Sequence, residues 1–312
     1  MKKLGGYLYL TCAFVLAGSS VISARLVSQR VGTFTITAVS LLLALLLLLP
    51  LSRNKLASAI RRMSLKDWAH AALQALFGIV VFRLLLLQGL LHTSTSEAGV
   101  LTGATPAVTA MLAWICLREP VRLKNVIGIV STAAGIALIQ GLLTQSFSAA
   151  HLAGNLLVLG AAVSESVFNV LSRKAAVRSD QDKAFDPLTQ TTLVTAIALA
   201  FSLPLALTEQ PAAALAGLDM AGWLALLWYG WFVTALAFIC WYAGIKRCPA
   251  NIAAAFTGLM PFTAMLLSAT MLHEAIAWFQ WAGAALVVLG MALIGLNSAP
   301  RRVPARAPAE PC

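Results

Sequence analysis

Two residues of this chain stand where a charge is expensive. Arg83 lies within an apolar stretch centred on 67–91, with Gln74 and Gln88 on either side and His92 beyond. Glu165 lies within another, 152–172, beside Ser164, Ser166 and Asn169. An ionised side chain in a stretch of that kind costs on the order of a few kcal/mol, so it faces a partner, a watery cavity or a ligand. Arg83 could clamp a carboxylate or form a structural ion pair with Glu97. Glu165 could take up a proton or bind an amine, or it could join a buried polar network with Asn169, four residues on and on the same helix face. The residues Trp228 and Tyr229, in an aromatic-rich stretch, could line a cavity.

The elements that carry these side chains follow from composition. Of the 312 residues, 60% are hydrophobic and 11% charged, and the mean hydropathy is +0.86, values of a polytopic membrane protein. A span needs roughly 20 mostly apolar residues, which predicts ten, centred near 7–27, 34–51, 67–91, 97–117, 124–143, 152–172, 187–207, 221–245, 250–272 and 276–297. The net charge of +11 does not call for nucleic acid. With the N-terminus in the cytoplasm, nineteen of the twenty-two basic residues fall on inner segments and only Arg25 and Arg30 on outer ones. That bias places both termini inside. Five scattered cysteines have no metal-ligand spacing and read as free thiols, so no metal and no cofactor is expected.

A second pattern organises the whole chain. Adding 155 to the numbers of Pro106, Leu117, Glu119, Gly128 and Gly135 gives Pro261, Leu272, Glu274, Gly283 and Gly290. Gly89 and Ala98 match Gly244 and Ala253 at the same offset. Two tandem copies of one unit are therefore predicted, over 1–145 and 146–298, followed by a disordered tail, 299–312, rich in Pro, Ala and Arg. Five spans per copy is odd, so the second copy enters the membrane from the opposite side. The fold class is all-α and integral to the membrane, with ten helices as two inverted five-helix repeats, the architecture of secondary transporters. Pro106 and Pro261 break matching helices and read as gates. Glu119 and Glu274 end those helices and read as structural hinges, accepting amides of the following helix or an ion pair.

These residues resemble the drug/metabolite transporter superfamily, in particular its EamA-type ten-span members. The resemblance rests on Ser96-Glu97-Ala98-Gly99, Pro106, Glu119, Gly128 and Gly135, and again on Ala250-Asn251-Ile252-Ala253, Pro261, Glu274, Gly283 and Gly290. The aromatic-Gly pair frequent in the first helix of such proteins is replaced here by Ala17-Gly18-Ser19. The resemblance implies export of amino acids or related small polar metabolites across the bacterial inner membrane by alternating access, with protons as a coupling partner and a homodimer left open. An exporter of an amino-acid-derived metal chelator or a drug-like compound is the alternative, and a non-transporting sensor or scaffold the alternative of another class. An enzyme is not expected: His92, His151 and His273 are isolated in sequence, and no GxxxxGK[ST] loop supports an ATP-driven pump.

Overall fold

The computed structural model describes residues 2–105, 107–109, 111–112, 123–139, 149–178, 186–247, 256 and 259–296. Pro106 and Glu119 lie outside them. The helices are α1 (Lys2–Ser28), α2 (Thr33–Arg62), α3 (Leu65–Leu90), α4 (Thr95–Leu101), α5 (Leu123–Ile139), α6 (Ala149–Arg178), α7 (Pro187–Thr208), α8 (Met220–Ile245), α9 (Leu259–Met271) and α10 (Trp278–Leu296). A short helix, Pro211–Ala216, precedes α8. Among the described residues there is no strand. Six helices, α1, α2, α3, α6, α7 and α8, are long and apolar enough to cross a membrane, and α5, α9 and α10 contribute shorter apolar segments. The last part of the predicted 97–117 span, from residue 113 on, falls outside the described residues.

The helices begin where local chemistry starts them. Ser64 and Asp67 form a capping box on α3, the Ser64 hydroxyl accepting from the Asp67 amide and the Asp67 carboxylate from the Ser64 amide. Asp219 caps α8 by accepting from the Gly222 amide at 2.8 Å. These two caps are themselves 155 residues apart, and adding 155 to the bounds of α3 gives those of α8. Each of the two helices also widens into a π-helical stretch, Leu76–Val81 in α3 and Tyr229–Leu236 in α8. Shifted by 155, the first falls wholly inside the second. A π-turn leaves a carbonyl without its usual partner. Here side-chain hydroxyls supply one: Ser164 donates to the Phe77 carbonyl and Thr234 to the Tyr229 carbonyl, each at 2.7 Å.

Packing repeats the same relation. The helices α2 and α7, α4 and α9, and α5 and α10 pack on each other. Contact of α1 with α8 is mirrored by α6 with α3, α1 with α9 by α6 with α4, and α2 with α8 by α7 with α3. The backbones of α5 and α10 approach each other closely at two reciprocal positions. A Cβ on Gly135 would lie 2.6 Å from the Gly283 carbonyl, and one on Gly290 would lie 2.5 Å from the Gly128 carbonyl. Only glycine permits backbones this close. Between these two contacts Ser131 donates to the Leu286 carbonyl, a residue 155 positions away, at 2.8 Å. The main core joins α1, α3, α4, α6, α8 and α9 through Val21, Leu86, Leu90, Leu101, Val158 and Tyr229.

Candidate functional site

Arg83 sits two residues beyond the π-stretch of α3 and is 4% exposed. Its guanidinium donates to the Ser40 hydroxyl of α2 at 2.7 Å and to the Thr234 hydroxyl of α8. It lies over the buried Tyr229 ring, 4.3 Å from the centroid, a cation–π contact that strengthens where water is excluded. Among the described residues no carboxylate pairs with it. The ion pair with Glu97, the alternative to a carboxylate clamp, is absent, because Glu97 lies in the first turn of α4 at one end of the bundle. Arg83 is seven residues before the end of α3, roughly 10 Å down the helix axis. Among the described residues the guanidinium therefore has two hydroxyls and a ring for partners and no opposite charge. The sequence identified Arg83 and Tyr229 and missed Ser40 and Thr234, whose approach depends on how α2 and α8 pack.

Glu165 lies elsewhere in the bundle, on α6, facing the Thr102–Ala104 3-10 turn that follows α4. The Thr105 hydroxyl stands 2.8 Å from the Glu165 carboxylate and 2.8 Å from the Thr102 carbonyl. One hydroxyl proton cannot serve both acceptors, so a proton on Glu165 would complete the set, Glu165 donating to Thr105 and Thr105 to Thr102. Asn169 is partly exposed one turn along α6, and among the described residues no hydrogen bond joins it to Glu165. Arg83 and Glu165 share no contact. Trp228, partly exposed, donates through Nε1 to the Ser19 hydroxyl at 2.9 Å and stacks on Phe232 at 4.4 Å between centroids. Pro261 is buried in α9, with its ring against Gly103, where a Cβ would meet Pro261 Cγ at 3.2 Å.

The end of the bundle that holds the α3–α4 and α9–α10 turns is tied across many elements. Glu274 accepts the Thr95 amide at 3.0 Å and the Ser96 amide at 2.9 Å. The amides are those at the N-terminus of α4, 179 and 178 residues earlier, rather than those of α10, the following helix. A helix start offers unpaired N–H groups and a positive dipole end, and a carboxylate satisfies both. Half-burial pushes the Glu274 carboxyl upward, but the hydrogen bonds from Ser96 and Thr95 outweigh it and hold its pKa below the usual value. Glu209 does the same for α2, accepting the Phe34 and Thr35 amides at 3.1 and 2.8 Å and the Thr35 hydroxyl at 2.8 Å. Nearby, Glu97, 8% exposed, accepts from the Asn155 amide at 2.9 Å and the Thr93 hydroxyl at 3.1 Å and lies 3.2 Å from His151 Nδ1. Arg25 of α1 donates to the Leu90 carbonyl. Arg25, Thr93, Ser96, Glu97, His151 and Glu274 help wall an open hollow of about 520 Å³. Among the described residues no group of three His, Cys, Asp or Glu is placed to hold a metal.

A sequence model of the EamA-like transporter family matches the chain twice, over residues 4–141 and 152–296. An uncharacterized transporter of Bacillus subtilis (strain 168), YetK, is 30% identical over 292 residues, which is 93% of this chain and 86% of that protein. A second from the same organism, YyaM, is 28% identical over 218 residues, 69% of each. A solved crystal structure superimposes with a TM-score of 0.63 over 93% of this chain and 96% of that one, at 20% identity, a likeness of fold. Family, relatives and apolar helices agree on a multi-pass membrane transporter.

Proposed function

Because the chain belongs to the EamA-like transporter family, we propose that it is a secondary exporter of amino acids or related small polar metabolites, acting across the bacterial cytoplasmic membrane with both termini inside. Its ten spans form two inverted five-helix copies. The 155-residue offset that relates α3 to α8, their caps and their π-stretches supports this reading, as does the reciprocal glycine contact of α5 with α10. Substrate recognition rests on Arg83. A buried guanidinium with only neutral partners is a site for a carboxylate, which would replace or join the Ser40 and Thr234 hydroxyls in a charge-assisted, bidentate bond. Glu165 serves as the proton carrier, and the shared Thr105 hydroxyl is what supports that role.

The two π-stretches flank the Arg83 locus, one on the helix that carries it and one on the helix that supplies Tyr229 and Thr234. They are the places where α3 and α8 can bend without breaking a full turn of hydrogen bonds. The Glu274 and Glu209 bonds tie the second copy to two helix starts of the first at one end, which with this orientation is the outer one.

The test is counterflow into proteoliposomes with labelled amino acids and their derivatives, each alongside its decarboxylated analogue. Saturable flux confined to the carboxylate members supports the assignment. Flux indifferent to the carboxylate would overturn it.

A further inference from the structure

The apolar part of α2 ends near Leu51, yet the helix runs on to Arg62. Thirty residues at 1.5 Å each give roughly 45 Å, against a hydrocarbon core of about 30 Å. The last ten or so residues therefore stand in the head-group layer on the side of the α2–α3 turn. They are basic. Arg53, Arg61, Arg62 and Lys66 meet no carboxylate among the described residues, and Lys55 reaches Asp186 only at 3.9 Å and in the open. The acid beside them, Asp67, is held by the Ser64 amide and hydroxyl at 2.9 and 2.7 Å.

The face is built in two tiers. Leu47, Leu51, Asn54, Ser58 and Arg62 follow one another at three- and four-residue steps and share one side of the helix. The two leucines are exposed within the apolar part, Leu51 to 63%. Below them Asn54, Ala57, Ser58, Arg61 and Arg62 line an open groove of about 410 Å³ along one side of the helix. An amphiphile with acyl chains and a negative head matches that sequence of surfaces, whereas a free anion would use only the lower tier. We infer that this end of α2 is a binding site for one anionic phospholipid. Arg61 and Arg62 grip the phosphodiester, Asn54 donates to the phosphate or glycerol oxygens, and the acyl chains lie along Leu51 and Leu47. Guanidinium forks bind phosphate bidentately, which a lysine cannot reproduce.

The experiment is lipid titration of the purified full chain in a neutral detergent, read by native mass spectrometry, with phosphatidylglycerol and phosphatidylcholine as probes. Wild type should retain phosphatidylglycerol more tightly than phosphatidylcholine. Replacing Arg61→Gln and Arg62→Gln together should weaken phosphatidylglycerol about 30-fold, given what each basic residue contributes near an anionic surface. The Arg61→Lys, Arg62→Lys pair should fall in between. Removing equal charge with Lys2→Gln and Lys3→Gln should leave the affinity unchanged. If that control weakens binding as much, the attraction is diffuse and there is no site. If wild type does not distinguish the two lipids, or inorganic phosphate displaces phosphatidylglycerol, the proposal also fails. The Arg61 and Arg62 side chains are on the surface, and unchanged elution of every variant on size exclusion separates loss of binding from loss of fold.

Discussion

The charges at the rim of this bundle and the charges in its middle are satisfied in different currencies. Glu209 and Glu274 each receive two backbone amides fixed at a helix start. Among the described residues Arg83 and Glu165 meet only side-chain hydroxyls and, for Arg83, a tyrosine ring. An amide at a helix terminus must find an acceptor, so the rim carboxylates complete something the fold leaves open. A hydroxyl would be content with its own helix carbonyl, and Thr234 and Thr105 each have one within 2.8 Å. The mid-bundle charges are therefore supported rather than neutralised. Rim charges should govern stability and mid-bundle charges should govern transport, and substitutions should separate the two.

The largest separation is expected at Arg83. Arg83→Gln should lower transport efficiency for a carboxylate substrate about 100-fold or more, since truncating one side of a buried charge pair costs about 2–5 kcal/mol. Thermal stability in detergent should stay level or rise, because an unpaired buried cation is removed. A fall in stability parallel to the loss of flux would turn Arg83 into a structural residue and erase the contrast. Glu165→Gln should keep flux within about ten-fold at neutral pH, general proton-transfer roles being worth more than that only where protons move, and should abolish the response to a pH gradient. A variant that still follows the gradient would move the proton site elsewhere.

At the rim the signs reverse. Glu274→Gln puts an NH₂ donor against one of two backbone donors, so it should cost about 1–2 kcal/mol of stability with transport affinity little changed. Glu209→Gln should behave alike. For Glu274 there is also a pH signature. Its folded pKa lies below the ordinary value of 4.5, so its contribution is complete above that value and is lost as pH falls through it. The stability gap between wild type and Glu274→Gln should begin to narrow below about pH 4.5 and go on closing as pH falls through the lowered folded pKa, checked by thermal melts across pH 3–7.

What the sequence disclosed was whatever repeats. The offset that pairs Glu119 with Glu274 and Gly128 with Gly283 is readable because matching residue types recur, and hydropathy located the long spans. The partner of Glu274 was not readable, since a carboxylate at a helix end satisfies any nearby amide, and α4 rather than α10 is brought there by packing. Glu209 carried still less signal, having Asn54 as its counterpart 155 residues earlier. The π-stretches left no mark either: Gly78 and Gly230 lie in them but do not correspond under the offset. Glu97 looked like a partner for Arg83 because both are charged and near in sequence. Only the helix length between them shows that His151 and Asn155 take its place.

The smallest predicted effect tests why the rim glutamates reach so far. Among the described residues two non-glycine positions have positive φ, Gln210 and His273, both at 53°, and each adjoins a capping glutamate, Glu209 or Glu274. The left-handed turn at His273 stands immediately before Glu274, and it costs a Cβ-bearing residue about 1–2 kcal/mol. Glycine would relieve that strain but loses about 0.5–1 kcal/mol through its freer unfolded chain. His273→Gly should therefore gain up to about 1 kcal/mol, seen as a higher thermal midpoint, with counterflow unchanged. A lower midpoint would mean that the imidazole makes an attachment of its own at this rim. A changed flux at equal stability would mean that the turn is part of the opening motion, and the division between rim and middle would no longer hold.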